Sequence, residues 1–212
     1  MTDSLKTLFR RFVSARTPDI ETAAHDDDKT SIPFSDRIDV LNTDPYLMIA
    51  DAELRLISVF DDLRYDRADL DILSGPMRRR ALTRLTPLGF KQRSGSVIEN
   101  RAEDIRIHMP KFRALGASPF DALRDTHLRT QDYALLTPTQ AAAQIITRYP
   151  TDTALEKLSM LVVKHPVNLL RLFDFLEPGP SHQAFRDVLG QLVYLQRKAV
   201  SREPLKTRRA LR

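Results

Sequence analysis

Cysteine and tryptophan are both missing from the 212-residue chain, and the first absence removes whole classes of chemistry. Without thiols there is no disulfide framework, no thiolate zinc site and no cysteine nucleophile. Redox poise therefore leaves the compartment open. Glycine is scarce at six residues, so there are few positions where backbone can approach a phosphate closely. Neither a GxxxxGK[ST] phosphate loop nor a GxGxxG dinucleotide turn occurs. No apolar run approaches the roughly 20 residues of a membrane-spanning helix.

Other catalytic signatures are equally absent. His25, His108, His127, His165 and His182 never stand three or four residues apart, so no helix presents two imidazoles to a metal. Each is read as a surface or helix-boundary histidine. Glu99, Glu103 and Asp104 are close enough in sequence to be weighed as a divalent-metal site, but no lysine or further carboxylate stands at a supporting spacing, and they read as solvated strand ends. Ser118 lies in Gly-Ala-Ser-Pro, which is a helix cap and not a GxSxG elbow. The expectation is a protein without enzymatic activity and without a cofactor.

What is present is charge, unevenly stored. Hydrophobic residues make up 42% and charged residues 29%, which fits a globular chain. At this length folding buries roughly 70% of the unfolded surface, enough for a core without staples. The 33 basic and 28 acidic residues give a net charge of +5, but only clustered charge makes a field that survives screening beyond about 10 Å. Residues 17–43 and 44–75 are each net −5, whereas 76–93 hold six basic residues and no acid. Residues 197–212 hold seven basic residues against Glu203.

Residues 1–16 predict an amphipathic basic helix, with no apolar signal-peptide core. Leu5, Leu8, Phe9, Phe12 and Val13 fall on one stripe. Leu5, Leu8, Phe9 and Phe12 are the candidate partner-binding residues, for a protein groove, a second copy or, with less support, a membrane surface. Residues 17–43 read as an acidic flexible linker.

Residues 44–136 are expected to form a helical domain with a β-hairpin. Asp44-Pro45 caps a helix to about residue 64, a shorter one covers 66–73, and Ser74-Gly75-Pro76 restarts a third over 76–85 with Met77, Ala81, Leu82 and Leu85 inward. A hairpin follows around Ser94-Gly95, then strands near 103–109 and 131–136. Three helices followed by a basic hairpin is the element order of a winged helix-turn-helix. Proline-punctuated helices then fill 137–200 as a C-terminal bundle, and 201–212 is a basic tail. The fold class expected is mainly α with a small β-hairpin or wing: N-terminal helix and linker, winged-helix-like middle, C-terminal helical bundle.

Two functions follow. In the first, a nucleic-acid-associated protein uses Arg78, Arg79, Arg80, Arg84, Lys91 and Arg93, with Arg208 and Arg209 of the tail adding phosphate contacts. In the second, a non-catalytic adaptor or structural subunit of a larger assembly, such as a secretion or transfer apparatus, docks through the N-terminal helix and the bundle. The acids at 61–71 could neutralise the arginines in the fold, and that distinguishes the two. A cytoplasmic location is expected, and arginine-rich composition suggests a bacterial source.

Overall fold

The computed structural model describes residues 34–60, 72–110, 122–124 and 126–202. Its centre is a six-stranded mixed sheet, not a wing. The strands are β1 Leu47–Asp51, β2 Leu56–Val59, β3 Lys91–Ser94, β4 Val97–Asn100, β5 Ile105–His108 and β6 Tyr133–Leu136, in the order β1-β2-β6-β5-β4-β3. β6 lies parallel to both β2 and β5, and the remaining pairs are antiparallel. The class is α+β, and the expectation of a mainly helical chain with a winged-helix-like middle is corrected.

The error begins at residue 44. The segment predicted as one helix to residue 64 is instead the β1–β2 hairpin, with Leu47 opposite Val59 and Ile49 opposite Ile57. Its apolar residues point both ways because both sheet faces are covered: all four residues of β2 are buried. A short apolar run buried on two sides has no alternation to show, and periodicity cannot separate it from a helix. The reversal at 52–55 uses no glycine or asparagine. Asp51 Oδ1 accepts from the Leu54 amide at 2.7 Å, the Arg55 amide donates to the Ala52 carbonyl at 3.2 Å, and Arg55 itself takes φ 53°. The helix predicted over 66–73 lies outside the described residues up to 71; Leu73 is buried in a loop.

Among the described residues, one full helix precedes the meander β3-β4-β5. This is α2, Gly75–Leu85, after a first turn α1, Phe34–Arg37, that runs on as a 3-10 helix over Ile38–Thr43. The last ten residues of the stretch read as linker are thus helical, with Phe34, Ile38 and Leu41 buried. Ser74 caps α2 by accepting from the Met77 amide at 3.3 Å, and Met77, Ala81 and Leu85 face inward. Gly89, at φ 88°, ends the helical run; a Cβ there would meet Asn100 Nδ2 at 3.1 Å.

Four helices follow β6, where the sequence places them: α3 Pro138–Arg148, α4 Thr151–Lys164, α5 Leu169–Phe175 and α6 Pro180–Arg202. Thr137 and Gln140 form a reciprocal capping box at the start of α3. Gln196 of α6 pairs with both backbone groups of Val167, accepting at 2.7 Å and donating at 2.9 Å. These helices do not stand apart as a bundle. α3 packs on β1, β2 and β6, and two cores share the sheet. Ile57, Val59, Tyr133 and Leu135 enter one with α1 and α2; Leu56, Ala134 and Leu136 enter the other with the helical layer.

Candidate functional site

The arginines of α2 are largely occupied. Asp44, whose side chain is 0% exposed, receives Arg80 Nη2 and Arg84 Nε at 2.7 Å each and the Tyr46 amide at 2.9 Å. Arg80 also lies over the Tyr46 ring. Arg78 donates to the carbonyls of Gly95 and Pro110 at 3.3 and 3.5 Å, tying α2 to the β3–β4 turn. Arg79 is exposed. The helix that was to enter a groove is therefore anchored to its own fold through three of its four arginines. The sequence offers Asp44 as a cap, and its distant partners leave no local mark.

The open charge lies on the sheet. Alternation sends Ile98, Ile105 and Ile107 into the first core and leaves Glu99 and Arg106, which are register partners, on the opposite face, with Lys91 across from Glu99 on β3. Arg93 Nη1, Arg106 Nε and Arg101 Nε reach the Glu99 carboxylate at 2.8, 3.1 and 3.4 Å. Three guanidinium groups thus meet at one buried carboxylate, with Lys91 on the neighbouring strand, and their side chains remain 54% (Arg93), 87% (Arg101) and 35% (Arg106) exposed. The Nη groups of Arg101 and Arg106 have no partner among the described residues. Burial pulls the Glu99 carboxyl upward, but hydrogen bonds from Arg106 and Arg101 and the charge of Arg93 outweigh it and hold it below the usual range.

A second buried carboxylate sits beside this patch and is saturated. Asp132 accepts from Arg129 through Nε and Nη2, from the backbone amides of Arg106 and Arg129, and from His108 Nε2 at 3.3 Å. Arg129 also binds the Asp104 carboxylate and carbonyl at 2.8 Å each. This clamp holds Asp104 at φ 50°. Four of the five Arg129 N–H groups are used in this way, which ties the side chain to its own fold.

The carboxylates weighed for a metal have other duties. Glu99 binds arginines, Asp104 binds Arg129, and Glu103 holds Arg37 and accepts the Phe34 amide at 2.7 Å. No group of three or more potential metal ligands occurs among the described residues. His165 is buried, with Nδ1 2.8 Å from Ser58 Oγ, and His182 stacks on Phe173. No described helix is long and apolar enough to cross a membrane. Leu5, Leu8, Phe9, Phe12, Ser118, Arg208 and Arg209 lie outside the described residues.

The sequence points to Lys91 and Arg93 but not to Arg101 and Arg106. Their signal, a two-residue period carried across three strands, exists only once the β3-β4-β5 register is known. No protein-family model, curated protein or solved structure matches the chain.

Proposed function

We propose that the protein is a non-enzymatic nucleic-acid-associated protein whose phosphate-binding surface is the outer face of β3, β4 and β5. One observation carries the reading. Arg93, Arg101 and Arg106 meet at the single carboxylate of Glu99, with Lys91 its register partner on β3, so positive charge is in excess on a face whose guanidinium groups are steadied by part-buried hydrogen bonds. Steadied guanidinium groups lose less freedom when they meet phosphate oxygens. A cytoplasmic location goes with this reading. The test is titration of labelled nucleic acid with the full chain and with K91A/R101A, both at exposed positions, across about 50 to 200 mM salt. The expected result is a steep fall in affinity with salt, and a slope flattened by about two in the variant, since each phosphate contact contributes about 0.9. Unchanged slopes would sink the assignment of this face.

A second reading, a non-catalytic adaptor in a larger assembly, is favoured by the helical layer, which exposes Met160 at 58%, Leu170 at 66% and Tyr194 at 61%. Large apolar side chains on an outer surface are a partner signal when they adjoin. It predicts that the protein binds an apolar fluorescent dye and that M160S/L170S/Y194S does not, with the fold unchanged by circular dichroism.

A further inference from the structure

Resting on the nucleic-acid reading, we infer that this face takes the phosphate backbone of a duplex and does not read bases. The argument is in what the face contains and what it lacks. Proteins that hold single strands on a sheet add aromatic rings on which bases stack, at about 1 to 3 kcal/mol per base. Here, among the described residues, the aromatics in and beside β3 to β6 are turned the other way. Phe90, leading into β3, and Tyr133 of β6 are both buried against Phe34 in edge-on contacts at 4.8 and 5.4 Å. On the outer face the β3–β5 residues are Lys91, Arg93, Ser94, Val97, Glu99, Arg106 and His108. His108 is drawn to Asp132. None of these supplies an open stacking platform.

Charge density decides between the two forms of nucleic acid. The cations sit on three adjacent strands and the turn between two of them, so their backbones span about 10 Å at the usual strand spacing. That compares with the groove widths of a duplex, about 6 and 12 Å, and lets the face meet phosphates of both backbones. A single strand offers one sparser row and a shallower counterion gain per contact, about 0.7 against 0.9. With no stacking to offset the difference, the duplex wins. Base edges are not engaged either, because the guanidinium groups are held on Glu99 and their side chains rise from strands and a turn, not from a helix that could enter a groove.

The experiment uses the full chain with a fluorescein-labelled mixed-sequence duplex, its separated strands, a thymidine homopolymer, and AT-rich and GC-rich duplexes at about 100 mM salt. The expected result is duplex binding about tenfold tighter than either strand or the homopolymer, equal within about threefold between the AT-rich and GC-rich duplexes, and weakened in K91A/R101A in proportion for all ligands. Tighter binding of single strands, or a larger preference between the two duplex compositions, overturns this inference and leaves the nucleic-acid reading standing. Absence of binding to every ligand overturns both.

Discussion

Asp44 shows how much one buried carboxylate can decide. It binds Arg80 and Arg84, accepts the Tyr46 amide and donates its own amide to the Leu41 carbonyl, so it joins the 3-10 helix, the start of β1 and α2 at one point. Replacing it leaves two partly exposed guanidinium groups without a counter-charge and an amide without an acceptor. D44A should lower stability by about 2 to 3 kcal/mol, below the full cost of breaking a wholly buried pair because the arginines can turn to water; urea unfolding measures it. R80A/R84A, by contrast, should leave the salt slope of nucleic-acid binding at the wild-type value, since both guanidinium groups are tied to Asp44 on α2 and lie outside the β3–β5 face. Asp132 adds a pH dependence. Burial raises its pKa, but the Arg129 side chain and the Arg129 and Arg106 amides, with His108, bring it below its ordinary value. A carboxylate depressed in the folded state contributes stability that is present above its unfolded pKa, near 3.8, and is lost as pH falls through the folded value. D132N should be less stable at neutral pH and should lose part of the acid limb of a stability-against-pH profile.

At the scale of elements, legibility followed the kind of cue each element carries. α2 and α3 have a Ser or Thr cap followed by proline, and β3–β4 turns at Ser94-Gly95; all were readable because the signal is local. β1 and β2 have none of this. Their turn, Ala52-Glu53-Leu54-Arg55, is composed of ordinary helix-tolerant residues, and what makes it a turn is distant. The Tyr149 hydroxyl oxygen lies 2.9 Å from Asp51 Oδ1 and 2.8 Å from Glu53 Oε2, its one proton shared between the two carboxylates, and Lys157 Nζ lies 2.8 Å from Asp51 Oδ2 and 4.5 Å from the Tyr149 ring. The hairpin is thus latched to the end of α3 and to α4. Burial and the two carboxylates push the Tyr149 hydroxyl up, and Asp51 raises Lys157. Both groups are protonated in the latch and have raised folded pKa values, so their contribution is complete below the unfolded values, near 10, and is lost as pH rises through the folded ones. Wild-type stability should fall in strong alkali, and Y149F should be less stable at neutral pH with a flatter alkaline limb, as read by thermal unfolding in a pH series.

For the whole molecule, what matters is that the C-terminal helices rest on the sheet. Residues 137–200 are helical as expected, yet α3 packs on β1, β2 and β6, and the alternate residues of β2 and β6 divide between a core under α1 and α2 and a core under the helical layer. A strand that contributes to both cores transmits loss of packing on one face to the other, because its backbone pairing is common to both. Leu158 of α4 is fully buried in the helical-layer core and is far in sequence from β1 to β5. L158A should cost about 2 to 5 kcal/mol through lost burial and a residual cavity. A sheet shared in this way makes that cost appear in a single transition, with far-ultraviolet circular dichroism and the near-ultraviolet tyrosine signal shifting together in urea. An independent C-terminal bundle would respond differently: the helical signal of L158A would move to lower urea while tyrosines of the other core, Tyr46 and Tyr133, kept the wild-type midpoint. Coincidence of the two curves in wild type and L158A alike is the outcome that the common sheet requires.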